Sequence, residues 1–233
     1  MTKWTGRLRR LVSNEKESRL EAIPFDADQR DDADSEGWQY LDRVRDKLDE
    51  LVEDFANGRL NRAQFDELYT HYQNERKGVE KLITARPGSD AWRMAVTEGQ
   101  SINIRRRLAA RVVGYAVYSN HDEMPLRVYG EFASLNEKWV SPLLSRVKSS
   151  QLFVVDRFDT GSEEPSCLCA VSGQFTTLLV LFTVEPARVQ LQSLEDLHGH
   201  FEQANYRILL RSAQAKTHTS VADLVFPYAA AFE

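Results

Sequence analysis

From Trp38 onward, apolar residues recur at helical spacing. Trp38, Leu41, Val44, Leu48, Leu51, Val52 and Phe55 fall on one stripe with charges between them, the pattern of an amphipathic helix. Gly58 stands where a left-handed C-cap would end that helix. Asn61, with Gln64 three residues on, makes a capping box for a second helix. The second stripe is Phe65, Leu68, Tyr69, Tyr72, Val79, Leu82 and Ile83. So short a link predicts an antiparallel pair, closed by Pro87-Gly88. The pattern then loosens. Trp92, Met94, Ala95 and Val96 form a short apolar stretch and Gly99 a break, so residues 87–108 read as a linker or short helix, and 92–107 as a poor helix candidate.

Beyond residue 108 the pattern is that of strands. Residues 109–118 (AARVVGYAVY) and 175–184 (FTTLLVLFTV) are apolar on both faces, which marks central strands covered on each side. Residues 126–132 alternate Leu126, Val128 and Phe132 with Arg127, Tyr129 and Glu131, a more exposed strand. Residues 151–158 and 166–171 supply two more, with turns at Asp159–Gly161 and Ser172-Gly173. A helix between the second and third strands takes Ser134 and Glu137 as its capping box and Trp139, Val140, Leu143, Leu144 and Val147 as its apolar side. Pro142 kinks it or marks a restart. The last helix, from about residue 187 to 211, carries Val189, Leu194, Leu197, Phe201, Ala204, Ile208 and Leu209. The predicted class is α+β: a helical hairpin, then a five-stranded sheet in the order β-β-α-β-β-β-α. Residues 1–36 read as a flexible charged arm, 37–86 as the hairpin, 109–212 as the αβ domain and 213–233 as a tail.

Composition narrows the function classes. A chain of 233 residues, 42% hydrophobic, can bury a core without staples. A net charge of −5 argues against a dedicated nucleic-acid binder. Two cysteines, Cys167 and Cys169, are too few for a disulfide scaffold, and the absence of an Asn-x-Ser/Thr sequon favours an intracellular, cytoplasmic protein. The densest apolar run, Leu178 to Phe182, is far short of the roughly 20 residues that span a bilayer. The arm is electrically split, +4 over residues 1–20 and −6 over 21–36. It reads as a solvated segment or as a short basic helix with Trp4, Leu8, Leu11 and Val12 on one face, able to make peripheral contact with a partner or an anionic membrane. The tail ends in Val225, Phe226, Tyr228 and Phe232, which fold back onto the domain or dock on a partner.

Motifs for chemistry are sparse. The chain has no Gly-x-Gly-x-x-Gly, P-loop, His-Glu-x-x-His or Gly-x-Ser-x-Gly. His198 and His200, two apart on a helix, point away from each other. We expect His198 beside the apolar stripe and His200 in solvent. Cys167 and Cys169 share one face of a strand and read as small core or interface fillers. Arg105, Arg106, Arg107 and Arg111 form either a solvated edge or an anion-binding patch. No cofactor, metal or catalytic residue is expected.

Residues 51–72, LVEDFANGRLNRAQFDELYTHY, resemble the short helical hairpin called SHOCT, with Gly58, Leu60 and Phe65 in its key places. The element order of the αβ region resembles the longin and roadblock superfamily, itself profilin-like, in which the first and fifth strands sit together mid-sheet. The doubly apolar strands here are the first and fifth. These resemblances imply a non-catalytic protein-interaction module, a homodimer and a scaffold or regulator of another protein such as a small Ras-like GTPase. A mixed sheet with one helix on one face would leave a surface or edge for the partner. The candidate interaction residues are Phe55, Phe65, Tyr69 and Tyr72 of the hairpin, with Tyr129 and Trp139 beyond it. The alternative is a PAS- or GAF-like sensor of a small ligand, which would need a deep internal pocket. A polar cleft with buried ionisable groups would point instead to an enzyme.

Overall fold

A computed structural model describes residues 27–134, 140–147, 152–158 and 166–232. The basic part of the arm, Glu137, Trp139 and the Asp159–Gly161 turn lie outside these residues. Helix α1 (Ala27–Ala56) pairs with α2 (Arg62–Ala85). Leu41 of α1 meets Val79 and Ile83, whereas Leu48 and Leu51 meet Leu68 and Tyr72, so the pair is antiparallel. Helix α1 starts within the segment expected to be a flexible arm. The sequence from Ala27 to Gly37 carries no large apolar residue, so no stripe marks a helix there.

The turn between the helices is a Schellman motif around Gly58. Gly58 N–H bonds to the Phe55 carbonyl at 2.9 Å and Arg59 N–H to that of Asp54 at 2.8 Å. Gly58 has φ +73°, and a Cβ there would lie 2.5 Å from Cβ of Arg188. The capping box also forms: Gln64 N–H donates to Asn61 Oδ1 at 2.8 Å and Asn61 N–H to Gln64 Oε1 at 3.1 Å.

The region expected to be a linker or short helix holds two short helical pieces that complete the helical core. A 3-10 segment (Asp90–Ala95) inserts Trp92 between α1 and α2, and α3 (Gln100–Arg107) inserts Ile104. Two helices cannot enclose their own apolar faces, and these short pieces close the two ends. Helix α3 ends against the capping box of α2. The side-chain amide of Asn61 donates to the Leu108 carbonyl and that of Gln64 to the Arg105 carbonyl, both at 2.7 Å. Two side chains thus satisfy orphan donors of one helix and orphan acceptors of another.

Five strands follow: β1 (Val112–Ser119), β2 (Pro125–Gly130), β3 (Leu152–Phe158), β4 (Ser166–Ser172) and β5 (Thr176–Phe182). Their order is β2-β1-β5-β4-β3 and each neighbouring pair is antiparallel. The sheet is therefore antiparallel, not mixed, with the first and fifth strands together mid-sheet as expected. One face carries Tyr115, Val117, Cys167, Cys169, Leu178, Val180 and Phe182, covered by α5 (Arg188–Ala215). The other carries Ala116, Leu168, Ala170, Leu179 and Leu181. It is covered by α4 (Val140–Val147) and by Phe132 of a 3-10 segment (Glu131–Ser134). Pro142 is the third residue of α4, and the residues directly before this helix lie outside the described ones. Val128 on edge strand β2 is exposed, not inward-facing as its alternation implied.

The sheet is tied to the hairpin at the start of α5. Val189 N–H bonds to the Gly58 carbonyl at 3.1 Å, and Gln190 bridges Ala187 N–H and the Ala110 carbonyl. Replacing Asn61 by Ala removes a cap and strands the Leu108 carbonyl. We expect urea denaturation to report a loss of about 1–3 kcal/mol.

Candidate functional site

Three of the expected interaction residues form one surface. Phe55 of α1 stacks on Phe65 of α2 with ring centroids 4.4 Å apart, and Phe65 on Tyr69 at 5.7 Å. Phe55 and Tyr69 are each 40% exposed and Val52 beside them 48%. Tyr72 is not part of this surface. It is 8% exposed, packed in the helical core with Lys47 over its ring. The reason is angular: Phe65 and Tyr69 form one helical row, and Leu68 and Tyr72 the neighbouring row turned toward α1. Tyr129 lies half-exposed on the edge strand with its ring 5.5 Å from that of Tyr115. Trp139 lies outside the described residues.

Two of the four arginines of the cluster are paired. Arg105 pairs with Asp54 at 3.3 Å, beside the Arg59–Asp54 pair at 2.9 Å, and Arg107 pairs with Glu67. Arg105 and Arg107 thereby stitch α3 to the hairpin.

Two glutamates, Glu75 buried and Glu202 partly buried, tie neighbouring elements together. In the helical part, Glu75 accepts from Thr97 N–H at 2.9 Å. Tyr40 also bonds to it, and burial first and this carboxylate second hold the Tyr40 phenol well above its usual range. In the sheet domain, Glu202 of α5 brackets the β4–β5 turn. Its carboxylate accepts from the backbone N–H groups of Gln174, Phe175 and Thr176 and from the Thr176 hydroxyl, all at 2.8 Å. A Cβ on Gly173 would lie 2.4 Å from the carboxyl carbon, so only glycine lets the turn approach this closely.

His198, one turn before Glu202, is 2% exposed. Its Nε2 faces the Thr176 carbonyl at 3.2 Å and its Nδ1 the Tyr228 hydroxyl at 2.8 Å. A carbonyl only accepts, so Nε2 carries the proton and Tyr228 donates to Nδ1. Burial holds the imidazole below its usual 6.5, against the opposing pull of the Glu202 charge and the Thr176 carbonyl. Burial likewise raises the Tyr228 phenol far above its usual range. His200 is exposed, as expected. Glu202 and Tyr228 were not legible as site residues. The available signal was a polar residue, His198, inside the apolar row of a helix.

This network faces the core. A surface cleft of about 200 Å³, lined by Ser119, Asn120, Gln174, Phe175 and Thr219 among others, includes none of its ionisable side chains. A more open groove of about 390 Å³ between α2 and α3 holds His71 and Glu75. Among the described residues no cluster of His, Cys, Asp or Glu could hold a metal ion, and no helix is long and apolar enough to cross a membrane. Comparison with protein families, characterised proteins and solved structures returned no match.

Two outcomes follow from the network. Glu202→Gln keeps the shape but turns a charged acceptor of four bonds into a neutral amide; we expect a stability loss of about 2–4 kcal/mol by chemical denaturation. His198 stays neutral in the folded chain at pH values where the unfolded chain has taken up a proton. Its contribution is therefore complete above about pH 6.5 and is lost as pH falls toward the depressed folded value. A series of denaturation midpoints from pH 8 to 5 should fall on the acid side, and His198→Gln should flatten that fall.

Proposed function

We propose that this chain is a non-catalytic protein-interaction module that forms a homodimer and scaffolds or regulates another protein. The observation that carries this reading is the aromatic ladder Phe55, Phe65 and Tyr69 with Val52 beside it. Of the ladder only Phe65 packs against the helical core; Phe55, Tyr69 and Val52 belong to neither of its clusters. Stacked aromatics left half in water on two adjoining helices are the type of anchor that interfaces favour. The resemblance of the hairpin to SHOCT and of the element order to longin and roadblock domains supports the same reading. By that resemblance a small Ras-like GTPase is the partner to try first. Both faces of the sheet are filled by side chains from α4 and α5, which favours surface binding over an enclosed ligand.

The test is light scattering across a concentration series. The native chain should approach twice 26.7 kDa, and Val52→Ser with Tyr69→Ser should weaken the dimer by about 30-fold or more. Both side chains are well exposed, so the variant should keep its fold. A native chain that is monomeric throughout, or a variant that dimerises as tightly, would overturn the reading.

A further inference from the structure

At Lys216, in the left-handed region at φ 52°, the chain turns and runs back along α5. This return segment, residues 217–232, packs on the same core as the α5 face of the sheet through Leu224, Phe226, Tyr228 and Phe232. Tyr228 is fully buried, its ring 5.3 Å from Phe201 of α5 and 5.6 Å from Tyr115 of β1. Phe226 sits 5.3 Å from Phe201, and Phe232 5.5 Å from Tyr115. Asn205 reads the backbone between these anchors. Its amide nitrogen donates to the Val225 carbonyl at 2.9 Å and its oxygen accepts from Val225 N–H at 2.8 Å. Spaced aromatic anchors with a two-way amide bracket are how a groove holds a separate peptide. The segment is seated as a ligand would be.

The seat has one buried contact that a proton changes. Tyr228 donates to His198 Nδ1 because Nε2 is committed to the Thr176 carbonyl. A second proton on the ring would occupy Nδ1, so the tyrosine hydroxyl would have to turn from donor to acceptor, and a full charge would stand in a site only 2% exposed. The groups facing this contact are Tyr228 from the return segment, Thr176 from β5, Tyr115 from β1 through Tyr228, and Glu202 on α5 itself. Glu202 is the negative charge among them, and it is already engaged by four donors at the β4–β5 turn. At the exposed root of the segment, His218 pairs with Asp122 at 3.0 Å. Burial alone would raise the Asp122 carboxyl, but bonds from Ser119, His218 and Met124 N–H hold it below its usual range.

We propose that the groove between α5 and β1 is a segment-docking site whose occupant is the chain's own residues 224–232, and that protonation of His198 releases this occupant by setting a buried charge against Tyr228 in place of the bond the imidazole accepts from it. Release uncovers Phe201 and Tyr115 while the sheet stays folded.

Hydrogen–deuterium exchange of the full chain at pH 7.5 and about pH 5.5, corrected for intrinsic exchange, tests this. Protection over residues 222–232 should fall about tenfold or more at the lower pH, with β1 and β5 changing less than about twofold. His198→Gln, which keeps an acceptor for Tyr228 but gains no proton, should keep the segment protected at both pH values. Tyr228→Phe should leave it poorly protected at both. Unchanged protection at low pH would overturn the proposal, as would loss shared equally with β1 and β5, which is global unfolding. An acid loss in His198→Gln equal to the native one, or native protection and native acid response in Tyr228→Phe, would also overturn it.

Discussion

Every residue of β5 is buried, on both faces of the sheet, and the rest of the domain follows from that constraint. A strand apolar on both sides needs neighbours on both edges and a layer of cover on each face. β1 and β4 supply the edges; α5 with the return segment and α4 with Phe132 supply the layers. Each fully buried Leu, Val or Phe contributes about 1.5–3 kcal/mol, whereas an exposed pair such as Arg45–Asp42 adds about 0.2–1 kcal/mol. The strand interior, not the charged surface, decides the architecture.

Burying so much chain leaves backbone groups that water cannot reach, and polar side chains inside helices answer them. Asn61 and Gln64 cap two helices at once. Gln190 links the start of α5 to the chain ahead of β1, Glu202 binds the β4–β5 turn, and Asn205 holds the return segment. Each acts on an element far from it in sequence. They are the joints between layers, and their loss costs more than one bond because a buried group is left unpaired.

The same logic separates joints from surface. Glu202 and His198 are spent on holding the domain together, while Phe55 and Tyr69 stay exposed, joined to the hairpin core through Phe65, which stacks on both and packs against that core. That contrast, between polar groups consumed inside and aromatics left half outside, directs attention to the hairpin face for binding and to the α5 groove for control.

Local periodicity determined much of this by itself. The two helices of the hairpin, the Gly58 turn, the Asn61–Gln64 box, all five strands and the mid-sheet place of the first and fifth were legible because each rests on spacing within a few residues. The structural roles of residues 87–107 were not. Trp92 and Ile104 are single anchors on short pieces, with too few turns to show a period. Tyr72 looked equivalent to Tyr69 because a stripe records only which side of a helix is apolar, and the row facing α1 is set by how the helices cross. Glu202 read as one more surface acid on a charged helix. Its partners lie 26 to 28 residues away, and only folding brings a turn's amides to it. The sequence alone determined the elements and their order, since these depend on neighbours along the chain. The tertiary structure decided which polar residues became joints and which aromatics stayed in water, since those depend on neighbours in space.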